Sequence, residues 1–223
     1  MKLSYQGYDE VQIDEGKITV IATNNPTVYK DLILGVKDYN DKVKAYNDDF
    51  SLINNNLAFD FDGDALINHD LDKRYKLELV NKITEGLAPH VRTSIEKKAR
   101  ELFTLLQESL FMTDIPLEVS FDGDVKRLLK YANIHLHPSI SNDAYGIIES
   151  DLKLHIECDD KSCIVFNNLA SYMTQEQFRE LQYVNNEIGT KVLLIEFSDL
   201  DKKDYYKNCN YYYIDADFVG WYF

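Results

Sequence analysis

The sequence predicts an α/β domain built on a parallel sheet and interrupted by a helical insertion, and three observations carry that prediction. Residues 162–167 (Ser-Cys-Ile-Val-Phe-Asn) and 191–197 (Lys-Val-Leu-Leu-Ile-Glu-Phe) are short apolar runs of strand-forming residues. Between them Phe178, Leu181, Val184 and Ile188 recur at helical spacing. A long amphipathic pattern between residues 65 and 112 has no strand-like alternation and stands apart from both.

Local chemistry sharpens the first unit. Thr174 followed three residues later by Gln177 fits a capping box, and Gly189 suits a left-handed stop at the helix end. Two apolar strands joined by a crossover helix are most simply parallel neighbours in a sheet covered on both faces.

Composition bounds the possibilities. A chain of 223 residues with 45% hydrophobic content can bury a sizeable core. It contains no apolar run long enough to span a bilayer and no signal-peptide core near Met1, so the expectation is a cytoplasmic protein without a membrane partner. Cys158, Cys163 and Cys209 form no Cys-x-x-Cys element and are expected to be reduced, structural thiols.

The formal net charge of −14 opposes nucleic-acid binding at first sight. The charge is unevenly spread, however. Lys73, Arg74, Lys76, Lys82, Arg92, Lys97, Lys98 and Arg100 face only Glu78, Glu85 and Glu96 within residues 73–100, a local excess of +5. Such a segment is either a solvated helix face or a patch that steers a polyanion.

Taken in order, residues 2–5 and 11–13 predict a starting hairpin, and Ile18-Thr19-Val20-Ile21-Ala22 a stronger strand. Asn25 as cap and Pro26 at the first helical position open a helix whose apolar positions Val28, Leu32, Val36, Tyr39, Val43 and Tyr46 keep three-and-four spacing. A nucleotide-binding protein would carry a glycine-rich loop with a lysine at such a strand-to-helix bend, because phosphate needs closely approaching N–H groups. The bend Thr23-Asn24-Asn25-Pro26 has neither glycine nor lysine, so no nucleotide is expected there.

A short strand is expected near Leu52, and Leu57-Ala58-Phe59-Asp60-Phe61-Asp62-Gly63-Asp64 reads as an apolar strand ending in carboxylates. It resembles the first motif of haloacid-dehalogenase-like magnesium phosphatases, with Asp60 as nucleophile and Asp62 handling the proton. Asp64 stands where that family has threonine or valine, and a strand end with a turn and a helix cap accounts for the same residues.

Helical spacing then runs to Met112, broken at Gly86-Leu87-Ala88-Pro89. Leu71, Tyr75, Leu79 and Ile83 line one piece; Val91, Ile95, Ala99, Leu102, Leu106 and Leu110 line the other. An antiparallel helical hairpin of this length exceeds what a small sheet can cover, which predicts a helical protrusion with an oligomer interface. The boundaries expected are an α/β head over residues 1–65 and 145–223 and a helical leg over 66–144.

Glu118-Val119-Ser120-Phe121-Asp122-Gly123-Asp124 precedes a short helix bearing Lys126, Arg127 and Lys130. Closely spaced carboxylates around a glycine suit a hard cation such as calcium, with Glu118, Asp122 and Asp124 as ligands, although the spacing is not that of an EF-hand and a turn with a helix cap is the simpler account of the same residues. A cation held there would cancel carboxylate charge and let the basic helix approach phosphate. His135 and His137 share a side if extended, but no third ligand is near for zinc. A helix from Asn142 to Glu157, the core strands and a tyrosine-rich pair of strands complete the chain; the aromatic residues there suit core and interface better than a base-stacking platform.

The order of these elements resembles the small accessory protein of type II-A CRISPR spacer-acquisition modules, in its shorter-form branch. The residues that carry the resemblance are Ile164-Val165-Phe166-Asn167-Asn168-Leu169-Ala170-Ser171-Tyr172-Met173-Thr174, the helix that follows, Val192-Leu193-Leu194-Ile195-Glu196, and the ending Tyr213-Ile214-Asp215-Ala216-Asp217-Phe218. The resemblance implies a degenerate phosphate-loop-NTPase-like head with a helical leg and no catalytic residues. It implies a homotetrameric ring around a lysine-lined hole that binds double-stranded DNA ends without cutting, stabilised by calcium, in association with the CRISPR effector nuclease and the adaptation integrase. Lys130 falls where relatives carry a lysine, and Lys126 and Arg127 extend that surface; Ser120 replaces the middle acid of the family's alternating acidic loop. A protein-only adaptor whose helical leg docks a partner is the remaining alternative.

Overall fold

The computed structural model describes residues 1–67, 70–112, 114–137 and 143–223. The chain divides into two compact units, residues 1–70 with 137–223, and Leu71–Leu136.

The first unit is built on the strand-helix-strand core legible in the sequence. Strands β1 (Lys2–Tyr5), β2 (Val11–Gln12), β4 (Val43–Tyr46) and β5 (Leu52–Ile53) form a small antiparallel sheet in the order β2-β1-β4-β5. The larger sheet contains β3 (Ile18–Thr23), β6 (Phe59–Gly63), β7 (Cys163–Asn167), β8 (Val192–Phe197), β9 (Asn210–Ile214) and β10 (Gly220–Tyr222) in the order β10-β9-β3-β8-β7-β6. Every pairing in it is parallel except β10 on β9. Helix α1 (Pro26–Val36) follows β3, a single turn α2 (Asn55–Ala58) precedes β6, α6 (Ala144–Glu157) precedes β7, and α7 (Gln175–Ile188) makes the crossover from β7 to β8. Asn142, where the sequence would begin α6, lies outside the described residues.

Alternation sorts the core into two faces. Cys163, Val165, Leu193, Ile195 and Ile21 join Val28, Leu32 and Val36 of α1 and Leu3, Val43 and Ala45 of the small sheet in one buried cluster. Ile164, Phe166, Val192 and Leu194 are equally buried and, one residue out of phase, face the other way. Helices α6 and α7 pack on one another, and their Ile148, Leu152, Phe178 and Leu181 are fully buried. The expected capping box at Thr174 and Gln177 is present, and Gly189 adopts φ +76° at the end of α7.

One expected element is corrected. The helix opened by Asn25 and Pro26 ends at Val36 instead of running to Tyr46. Asp38 turns the chain at φ +58°, and Val43–Tyr46 becomes a strand that pairs with β1. The reason is Gly35, where an added Cβ would lie 2.5 Å from Val43 Cγ2. Strand β4 therefore folds back onto the α1 backbone, while Tyr39 is left exposed.

The second unit holds α3 (Leu71–Gly86), α4 (Pro89–Leu110) and α5 (Val125–Tyr131). Here too the expected packing differs: α3 packs mainly on α5, and α4 also meets α5, so the two long helices are not the closely paired hairpin that their short connection predicts. Residues 65–67 form a turn, not the start of α3.

Candidate nucleic-acid interface

Of the basic residues singled out by the sequence, Lys73, Arg74, Lys76 and Lys82 fall on α3, Arg92, Lys97, Lys98 and Arg100 on α4, and Lys126, Arg127 and Lys130 on α5. Asp124 caps α5, its side chain accepting from the Lys126 N–H at 2.9 Å, and Asp122 accepts from the Asp124 N–H at 3.0 Å. This turn aims Arg127 back at the acids: its guanidinium pairs with Asp122 and lies 3.4 Å from Asp124 Oδ2. Lys126 and Lys130, one helical turn apart, form no ion pair among the described residues. Lys130 sits in the last turn, where the helix dipole favours a cation.

On α4, Lys97, Lys98 and Arg100 are exposed and form no ion pair among the described residues. Lys97 and Arg100 share a face by their spacing of three. Four exposed or half-exposed lysines and one arginine on these helices are thus open to an anion, while Arg127 is held by its own loop.

Among the described residues the carboxylates of the acidic loop are not gathered into one compact group. Glu118 is exposed, and its carboxylate does not join those of Asp122 and Asp124 in a compact ligand group among the described residues. Asp122 and Asp124 pair with Arg127 and accept from two backbone N–H groups.

Gln107 is a positioning residue without a signature in the sequence. Its amide donates to the Leu117 carbonyl at 3.1 Å and accepts from the Val119 N–H at 2.7 Å, holding the acidic loop on α4. Phe103 and Phe121 pack with ring centroids 5.5 Å apart beside that clamp. The groove between α4 and α5, about 450 Å³, is lined by Leu102, Leu106, Leu128 and Tyr131 along with Arg127.

The strand-to-helix bend in the first unit is filled from within. The Asn25 side chain accepts from the N–H groups of Thr27 at 2.9 Å and Val28 at 3.3 Å, and Pro26 contributes no N–H. Asn25 also donates to the Ala216 carbonyl at 3.2 Å. The N–H groups that would face a phosphate are already satisfied. Beside the bend, Asn167 and Asn168 both donate to the Tyr29 hydroxyl, at 3.0 and 2.8 Å. Glu196 accepts the Leu169 N–H at 2.8 Å, and burial pushes its carboxyl up to about 7.

Asp60 and Asp62 sit in different surroundings. Asp60 groups with His155 and Asp160, whereas Asp62 is buried and belongs to no compact ligand group among the described residues. The bulge between Phe61 and Gly63 breaks the alternation that would have aligned them. All three cysteines are free, and burial pushes Cys163 and Cys209 up to about 12. No helix among the described residues is long and apolar enough to cross a membrane.

A strand-to-helix bend whose sequence lacks a glycine-rich loop, a parallel sheet with one antiparallel margin, and a helical unit define a class: an α/β protein with a phosphate-loop-like head. The model of the CRISPR-associated protein family Cas_Csn2 matches residues 35–218, and the chain belongs to that family, found in type II-A CRISPR systems. Among solved structures, Stu0660 of Streptococcus thermophilus matches with a TM-score of 0.54 at 13% identity, covering 96% of this chain and 74% of that one. The ADP conformation of MJ1267, an ATP-binding cassette of an ABC transporter, matches with a TM-score of 0.46 at 14% identity, covering 95% and 84%. No curated protein matches the chain.

Proposed function

We propose that the chain is a non-catalytic subunit that binds double-stranded DNA ends in CRISPR spacer acquisition, acting as a homotetrameric ring. It takes no nucleotide and works in the cytoplasm beside the effector nuclease and the adaptation integrase. The observation that carries this reading is the set of cationic side chains at Lys97, Lys98, Arg100, Lys126 and Lys130 that no acid of the described residues neutralises, in a chain of net charge −14. An acidic molecule holds a polyanion only where such groups from several copies converge, because phosphate neutralisation releases counterions at the contact and the remaining surface repels.

Multimer formation is supported by α4. Only Ala99 of that helix is buried, while Leu102, Leu105 and Leu106 are 52%, 63% and 45% exposed. An apolar stripe of that extent is a surface for association. Calcium enters as an expectation of the family, so no step of binding is routed through it.

The test compares linear and relaxed closed-circular duplex of equal length, with and without a calcium chelator. Linear DNA is expected to bind with a steep salt dependence and circles to bind poorly. Equal binding of circles would overturn threading. Alanine at Lys97, Lys98, Lys126 or Lys130 should weaken binding to every sequence alike, lowering the salt slope by about 0.9 for each phosphate left unneutralised.

A further inference from the structure

We propose that Asp60, His155 and Asp160 form a binding site for a divalent transition-metal ion that ties the sheet-edge strand β6 to the end of α6 and the turn before β7. One ligand atom from each residue lies within 4.8 Å of the other two. The decisive member is His155, which is only 1% exposed.

Its Nε2 lies 3.1 Å from the Ser162 carbonyl. A carbonyl oxygen only accepts, so Nε2 donates to it and Nδ1 is the ring nitrogen left for another partner, while Asp160 Oδ1 lies 3.6 Å from Nε2. Nδ1 is buried without a hydrogen-bond partner and faces Asp60 Oδ2 at 3.7 Å. A buried ring nitrogen without a hydrogen-bond partner, set opposite a carboxylate oxygen, is a position that favours positive charge between the two. Their separation exceeds a hydrogen bond, yet it is shorter than two metal–ligand bonds of about 2.1 Å laid end to end, so one ion can touch both.

The surroundings are those of a metal ligand. An imidazole that gives its second nitrogen to a backbone carbonyl is fixed in ring orientation and tautomer. Asp160 is held in place by accepting the Ser162 N–H at 2.9 Å. A cavity of about 330 Å³, lined by His155, Asp160, Ser162, Thr190 and Lys191, adjoins the group and gives an ion access to it and room for water ligands. The hydroxyls of Ser162 and Thr190 on its wall are also buried without partners.

One imidazole with two carboxylates suits a borderline ion such as Zn²⁺ or Mn²⁺, whereas calcium prefers six to eight oxygens. The site belongs to the first unit, shares no residue with the acidic loop and stands independently of DNA binding.

The test uses the full chain, stripped with a chelator and dialysed, then titrated calorimetrically with Zn²⁺, with Ca²⁺ as control and thermal melting in parallel. The expected result is one Zn²⁺ per chain and a melting temperature that rises with zinc. Asp160→Asn and Asp60→Asn, which keep the size of the side chain, should weaken zinc at least tenfold and remove the rise. His155→Asn should do the same if it folds. His135→Ala/His137→Ala should change nothing. Failure of the wild type to take up zinc stoichiometrically, tighter binding of calcium than of zinc, unaltered affinity in both aspartate variants, or loss of binding in the His135/His137 variant would overturn the proposal.

Discussion

Glu196 is a buried acid whose pKa is shifted upward, and its effect on stability has a definite sign. Burial raises its carboxyl from the ordinary 4.5 to about 7, against the pull of the Tyr206 hydroxyl and the N–H groups of Leu169 and Ala170. In that window the native state binds more protons than the unfolded chain, so stability present below pH 4.5 is lost as pH rises towards 7. Replacing Glu196 by Gln preserves an acceptor for Leu169 and removes the ionisation. Wild-type unfolding free energy should fall relative to Glu196→Gln by on the order of 3 kcal/mol between pH 4.5 and pH 8, read from denaturant midpoints at each pH. Parallel pH profiles for the two proteins would show that the shift is absent. Nothing in the sequence announced this residue beyond its place at the end of an apolar strand, since burial of an acid is decided by what folds over it.

At the scale of elements, the sequence was most readable where an element carries its own start and stop. Thr174, Gln177 and Gly189 delimit α7, and Asn25 and Pro26 open α1, as local chemistry requires. The end of α1 was misread because Val43 and Tyr46 continue a helical spacing by coincidence, and contact with Gly35 decides against it. Gly35→Ala should therefore destabilise by about 1–3 kcal/mol through overpacking, even though alanine is the better helix former. The clash is with Val43, so Val43→Ala in the Gly35→Ala background should recover part of the loss, and a strictly additive double mutant in denaturant unfolding would refute that account. The Gln107 clamp was illegible for a different reason: a single polar residue on a long helix has no periodic signal, and its partners are backbone atoms. The Asp60, His155 and Asp160 group was likewise hidden, because its members are brought together only by the parallel pairing of β6 with β7 and the end of α6.

At the scale of the whole molecule, two units of unlike character share one chain. The first buries its apolar residues in sheet and helix layers, while the second leaves the α4 stripe open. Leu102→Glu with Leu106→Glu should leave subunit stability within about 0.5 kcal/mol, as exposed positions do, yet lower the solution mass to that of a smaller assembly. Light scattering across a concentration series checks this; an unchanged mass would place the association surface elsewhere. The parallel core and the basic helices were both foreseen from the sequence. The packing of α3 on α5 was not, because hydrophobic spacing says which face seeks cover and leaves open which neighbour provides it.

Asn25 also determines how this head could be re-engineered. Inserting a glycine and a lysine into the bend would not by itself create a seat for triphosphate, since the amide of Asn25 holds two donors and the ring of Pro26 deletes a third. Those two side chains would have to be exchanged together with the insertion, and the tether from Asn25 to Ala216 would go with them. A phosphate seat at this bend would therefore require several coordinated substitutions, and no single one would supply it.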